Sequence, residues 1–249
     1  ETKEGILKGT QEILGETHPK LVQQCIDICT DAVTESLENM FPFTMEIGRG
    51  FVPDVGKERH NPNKTGDDSL LTIQFRLESG KKILLYHYAC HPTVLNRDNQ
   101  YISADFPYGV EQHLQDYELI LFINGNCGDI STRFTRTSSS FEQINRFGKQ
   151  IAKAINEAVD SSSNQEKLTQ LLVKEFTIPL RAKEVDSIEV AEQKCKQTEE
   201  EIQLSIKRAN AGERRVLESK LEGAKTNLLL AKNLQGLKEI PFTCMYIQM

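Results

Sequence analysis

His91, Asp105, Asp129 and Ser131 are the residues of this chain whose types and spacing can do chemistry. His91 follows an apolar strand-like run, Leu85-Tyr-His-Tyr-Ala-Cys90. Asp129 and Ser131 follow a second such run, Leu121-Phe-Ile-Asn124, through the small-residue turn Gly125-Asn-Cys-Gly128. Between them lies Ile102-Ser-Ala-Asp105-Phe-Pro-Tyr-Gly109. A histidine, carboxylates and a hydroxyl at strand ends are how α/β enzymes deliver chemistry, because a strand is rigid and its C-terminal end opens into a crevice. The two ends can therefore face one site. Taken from the residues alone, His91 also suits a core or capping histidine, and Gly125-x-x-Gly128-Asp129 an ordinary tight turn. No Gly-x-Ser-x-Gly elbow is present, which argues against a classical serine hydrolase.

The elements that must position these residues are legible from periodicity. Short helical patterning covers residues 4–14. His18-Pro19 opens a longer helix over 19–39, with Leu21, Cys25, Ile28, Cys29, Ala32, Val33 and Leu37 on one stripe. On that stripe Cys25 and Cys29 read as buried small hydrophobes. Alternation predicts strands over 43–52, 69–77 and 82–90, the last two joined by a turn at Glu78-Ser-Gly80-Lys. Residues 53–67 and 92–104 read as loops, and Pro107 to Leu114 as a short helix. The nearly all-apolar run 118–124 reads as a strand in a central sheet position. An amphipathic helix follows over 140–159, then a polar linker at Ser161-Ser-Ser-Asn-Gln165 and a strand over 170–180. Residues 187–234 are rich in Glu, Lys, Gln, Ala and Leu and read as a helical hairpin turning at Asn210-Ala-Gly212. A last strand covers 240–249. The fold class is thus α/β, a mixed sheet flanked by helices, with a helical hairpin near the C-terminus, residues 187–234 being inserted into one domain over 1–249.

Composition excludes several classes. With 249 residues and a net charge of −6, the chain is large enough for a full core and too acidic for a general nucleic-acid surface. No apolar run approaches the ~20 residues needed to span a bilayer. The six cysteines form no Cys-x-x-Cys pair, which argues against a zinc knuckle, and they are too scattered for a disulfide framework. A cytoplasmic location is favoured over secretion. Cys90 and Cys127 lie inside the motifs and read as packing beside the site, since a nucleophilic role needs a depressed pKa. His87 reads as strand packing, His113 as a surface residue, and the charged run Lys194–Glu201 as a solvated helix face.

Four segments, in order, resemble the neutral/alkaline non-lysosomal ceramidase family, in particular its bacterial ceramidase-like members. They are Glu58-Arg59-His60 with Asp67-Asp68; Tyr88-Ala-Cys-His91-Pro-Thr93; Ile102-Ser-Ala-Asp105-Phe-Pro-Tyr-Gly109; and Asn124-Gly-Asn-Cys-Gly-Asp-Ile-Ser131. The resemblance implies a zinc-dependent hydrolase of linear amide bonds, splitting the N-acyl bond of ceramide or a related lipid or small-molecule amide. It implies that His91 ligates zinc, that Ser131 lies near the scissile amide, that Arg59 contacts the carbonyl or oxyanion, and that Asp105 and Asp129 shape the site. Asp105 or Asp129 is then the partner expected for the second ring nitrogen of His91. Backbone amides of Gly125 to Gly128 are further candidates for holding an oxyanion. The upstream histidine and the downstream Glu and Tyr that the family uses as ligands have no match here. The resemblance therefore implies a zinc site whose remaining ligands lie outside these residues, and a chain that is the central part of a larger catalytic domain. Two other classes stay open. One is a non-catalytic binding or assembly module, its helical hairpin contacting a partner or a second copy. The other is a two-metal phosphoester hydrolase using His91, Asp105 and Asp129.

Overall fold

The structure, a computed structural model, describes residues 18–59, 61, 63–64, 66–96, 98–162, 165–166, 172–207 and 211–248. The chain divides into two compact units. One holds Asn39 onward to the end of the first sheet, the other the N-terminal helix and the segment from Leu172 to Gln248.

In the first unit, β1 (Phe43–Phe51), β3 (Ser69–Leu77), β4 (Lys82–Tyr88), β5 (Leu119–Asn124) and the short β7 (Gln165–Glu166) form a five-stranded sheet in the order β5-β4-β3-β1-β7. All neighbours are antiparallel except β4 and β5, which run parallel with Tyr88 opposite Asn124. The mixed sheet expected from the sequence is present. Helix α2 (Phe106–Glu111) and helix α3 (Phe141–Asp160) cover one face. Of the α3 stripe expected from the periodicity, Ile144, Phe147, Ile151 and Ile155 are fully buried against Leu84, Tyr86 and Tyr88, and Val159 is partly buried. Ser140 caps α3 by accepting from the Gln143 amide at 3.2 Å. Glycines set how closely the layers approach. A Cβ on Gly48 would lie 2.6 Å from Thr72 Oγ1 and also against the Ala158 carbonyl of α3.

Two sequence expectations fail here. The run 118–124 is an edge strand, not a central one: Ile120 and Phe122 pack on the core while Leu119, Leu121 and Ile123 are exposed. An all-apolar composition therefore marks a strand that can be covered on both faces, and among the described residues only one face is. Residues 53–67 are not all loop, because β2 (Lys57–Glu58) pairs antiparallel with β6 (Ile130–Ser131). Two residues are too few for alternation to show.

In the second unit, β8 (Leu172–Arg181) and β9 (Glu239–Gln248) pair antiparallel along their whole length. Between them α4 (Ile188–Ser205) and α5 (Ala211–Leu234) make the expected helical hairpin. Ala191, Cys195, Ile202, Ala231 and Leu234 are buried. Lys220–Glu201, Lys225–Glu199 and Lys232–Glu192 link the two helices at the surface. Gly212 lies in the first turn of α5 rather than in the connection; residue 210 and the pattern over 4–14 fall outside the described residues. Helix α1 (Pro19–Glu38) forms as expected, but none of its residues is buried, so Cys25 and Cys29 are exposed. The stripe says which face of a helix can be covered, not that a neighbour covers it.

Candidate active site

The site is assembled by a small ribbon beside the C-terminal ends of β4 and β5. Its centre is β6. On one side β2 pairs with it, Lys57 opposite Ser131 and Glu58 opposite Ile130, and the Arg59 amide donates to the Asp129 carbonyl at 2.7 Å. On the other side His91 forms a parallel bridge with Ser131, its amide donating to the Ile130 carbonyl at 3.1 Å. Cross-strand partners share a face, and neighbouring strands lie about 4.8 Å apart. His91, Ser131 and Lys57 therefore form one row across three segments, with Arg59 and Asp129 in the next row on the same face. Ile130 points the opposite way, into the core. Gly56 makes this possible: a Cβ there would come within 2.9 Å of both the Ile130 side chain and the Tyr88 hydroxyl. The buried Tyr88 hydroxyl in turn accepts from the Gly56 amide at 2.9 Å, which ties the ribbon to β4.

The His91 ring is oriented by a carbonyl, not by a carboxylate. Its Nδ1 lies 3.1 Å from the Ile130 carbonyl oxygen. A carbonyl only accepts, so Nδ1 carries the hydrogen and Nε2 keeps a free lone pair, the form that ligates a metal or takes a proton. The carboxylates expected in that position do other work. Asp105, buried and at φ 62°, accepts from its neighbour Phe106 N at 2.8 Å and from Leu95 N at 2.9 Å. It thereby closes the 92–104 loop that leaves His91 and caps α2. A non-glycine residue held at positive φ by two hydrogen bonds marks a position that the surroundings over-determine. Asp129 is exposed beside Arg59. Of the amides considered for an oxyanion, Gly125 donates to the Tyr88 carbonyl at 3.1 Å and Cys127 to the Gly125 carbonyl at 2.8 Å, so these two are committed to the turn.

Residues that the sequence left unassigned complete the surroundings. Lys57 stands in the His91 row. Arg133 donates from its amide to Ser131 Oγ at 3.4 Å and from Nη1 to the Arg59 carbonyl at 3.3 Å. Arg136 Nη1 donates to the Thr93 carbonyl and, at 2.9 Å, to the Val94 carbonyl, which pins the segment just after His91. The i, i+2 spacing of Lys57 and Arg59 was the available signal for a shared face, hidden by the loop-like composition around it. His87 packs on the backbone of Gly125, His113 is exposed with Nε2 2.6 Å from Asn145 Oδ1, and residue 60 lies outside the described residues.

Cys90 is fully buried, and burial first, then the neighbouring Cys127, Asp105 and Asp68, push its thiol up to about 12. Buried in this way, Cys90 packs beside the site rather than presenting a thiolate. The expected outcome with a thiol reagent at pH 8 is rapid modification of exposed Cys25 and Cys29 and none of Cys90 until the protein unfolds, read by mass spectrometry of peptides. Modification of Cys90 at the same rate would contradict this placement.

Among the described residues no group of three or more His, Cys, Asp or Glu side chains is placed to hold a metal. Among the described residues no helix is long and apolar enough to cross a membrane.

No family model matches the sequence, and no curated protein sequence is similar to it. Similar solved structures exist. The neutral ceramidase from Pseudomonas aeruginosa superposes with a TM-score of 0.50 at 16% identity, over 60% of this chain and 28% of that one. A structure described as ceramidase complexed with C2 gives 0.49 at 16% identity, over 59% and 27%. The chain thus spans little more than a quarter of the neutral ceramidase structure, and over three fifths of its own length it has the fold of that part of a neutral ceramidase.

Proposed function

We propose that this chain carries one wall of the active site of a ceramidase-like, zinc-dependent hydrolase of linear amide bonds. The observation that carries the reading is the row His91–Ser131–Lys57, with the His91 ring fixed by the Ile130 carbonyl so that Nε2 is free. His91 Nε2 would hold the zinc together with ligands from outside these residues. When bound, zinc supplies a water acidified to a pKa of about 7 and polarises a carbonyl. The residues of this chain then do the positioning. The Ser131 hydroxyl, adjacent to His91 in the ribbon, orients the scissile amide. The Arg59 guanidinium donates to the oxygen that gains charge as the carbonyl is attacked, a contribution that is large where the donor is fixed in advance. Asp105 and Arg136 hold the His91 loop in place, and the Asp129 carbonyl holds the Arg59 backbone in the ribbon. The ceramidase-like fold supports a lipid amide as substrate.

The test is release of free fatty acid from an N-dodecanoyl amide by the native protein. Turnover is expected, lost on treatment with a chelator and restored by zinc. Turnover that a chelator leaves untouched, or no turnover across a panel of N-acyl amides, would sink the proposal.

A further inference from the structure

Beside the His91–Ser131 row the structure gathers positive charge in a chain whose net charge is −6. Lys57 lies opposite Ser131, and Arg59 is two residues on, on the same face. Arg133 is tied to both strands of the ribbon, through the Ser131 hydroxyl and the Arg59 carbonyl. Those bonds use the Arg133 backbone amide and one guanidinium nitrogen, leaving the other donors of an exposed group open. Carboxylates stand near as well: Asp129 shares the face of Arg59, and Asp68, itself coupled to Asp54 and Asp67, interacts electrostatically with Lys57. Neither is within ion-pair distance, and among the described residues Lys57, Arg59 and Arg133 form no salt bridge. Three cations held together by backbone geometry, none in ion-pair contact with a carboxylate, keep donors open to an anion, and a guanidinium fork matches a carboxylate in two hydrogen bonds.

We propose that Lys57 and Arg133 are specificity residues that select an amide carrying a negative charge next to the scissile bond, an N-acyl amino acid or a similar carboxylate. This rests on the hydrolase reading above. Arg59 is assigned there to the oxyanion, so the discrimination falls to the other two. The carboxylate of an N-acyl amino acid lies two bonds from the amide nitrogen. With the amide at Ser131, Lys57 in the opposite register position and Arg133, bonded to the Ser131 hydroxyl, are the cations nearest in the ribbon to receive it.

The experiment compares N-dodecanoylglycine with N-dodecanoylethanolamine, which differ in a carboxylate against a hydroxymethyl group. Binding to the native protein is measured by calorimetry, and hydrolysis by fatty acid release. The glycine amide is expected to bind about tenfold or more tightly, as charge-assisted hydrogen bonds imply. The Lys57→Met/Arg133→Met double variant should reduce that preference to within about threefold, while Lys153→Met on the exposed side of α3 should keep it. Raising the salt from about 0.05 M to about 0.5 M should erode the preference in the unaltered protein, a readout that needs no variant. Equal binding of the two amides, binding of neither, or a preference indifferent to both salt and the double variant would overturn the inference. Preferential binding without hydrolysis upholds the anion site and defeats the hydrolase reading. Hydrolysis of both amides without preference does the reverse.

Discussion

His91→Ala is expected to remove bound zinc and to lower amide turnover by at least about a hundredfold, since even the residues that orient a metal ligand cost 10–100-fold when lost. The structural cost of the change is small. His91 lies just beyond β4, half-buried, and its ring makes one hydrogen bond, to the Ile130 carbonyl. Losing that bond removes about 1 kcal/mol. The bridge to Ser131 is made by the backbone and survives, because the His91 amide still donates to Ile130. The variant should therefore fold, with unchanged circular dichroism. Zinc content by elemental analysis and kcat/KM on an N-dodecanoyl amide check the two halves together. A folded variant that keeps its zinc would show that His91 is a capping histidine, the reading the residues alone also allowed.

The largest expected effect on stability is at Gly148. Helix propensity favours Gly148→Ala by about 1 kcal/mol. Packing opposes it, because a Cβ there would lie 2.5 Å from Gly109 Cα and as close to the rest of that residue's backbone. The obstacle is main chain in α2, which cannot rotate away as a side chain does. Gly109 is confined in turn, with a Cβ there falling 2.5 Å from the Ile144 carbonyl oxygen. The α2–α3 contact must open, and with it the support for Phe106, which is fully buried beside Tyr88 and Phe122. Net destabilisation of at least about 2 kcal/mol is expected. Gly223→Ala in α5 is the matched comparison. A Cβ there meets nothing within 4 Å, so the variant should gain up to about 1 kcal/mol from propensity alone. Urea unfolding of both variants reads the difference. A Gly148→Ala protein as stable as the parent would mean that the two helices are not in backbone contact.

The sequence showed the elements better than their neighbours. Helix α3 was legible because its stripe is buried from Ile144 to Ile155 and its cap is a serine. Strand β5 was legible as a strand, but its place in the sheet was not. An all-apolar run reports the capacity for burial, while Leu119, Leu121 and Ile123 are exposed at an edge. Helix α1 shows the same limit, with an amphipathic pattern and no buried residue. At the candidate site, His91 and Ser131 stand out in the sequence because each sits at the end of a strand or a glycine turn. Lys57 and Arg133 were not, because their positions follow from pairing between two-residue strands far apart in sequence, which no local pattern encodes. The tautomer of His91 was equally hidden, since its partner is a main-chain carbonyl present at every residue.

The central claim is that His91 offers Nε2 to zinc beside Ser131. Anomalous diffraction at the zinc edge from crystals of the native protein tests it most directly. The expected result is a single strong peak about 2.0–2.1 Å from His91 Nε2, with Nδ1 still bonded to the Ile130 carbonyl. No peak at His91 in zinc-supplied protein, or a ring turned so that Nε2 meets a protein donor, would contradict it.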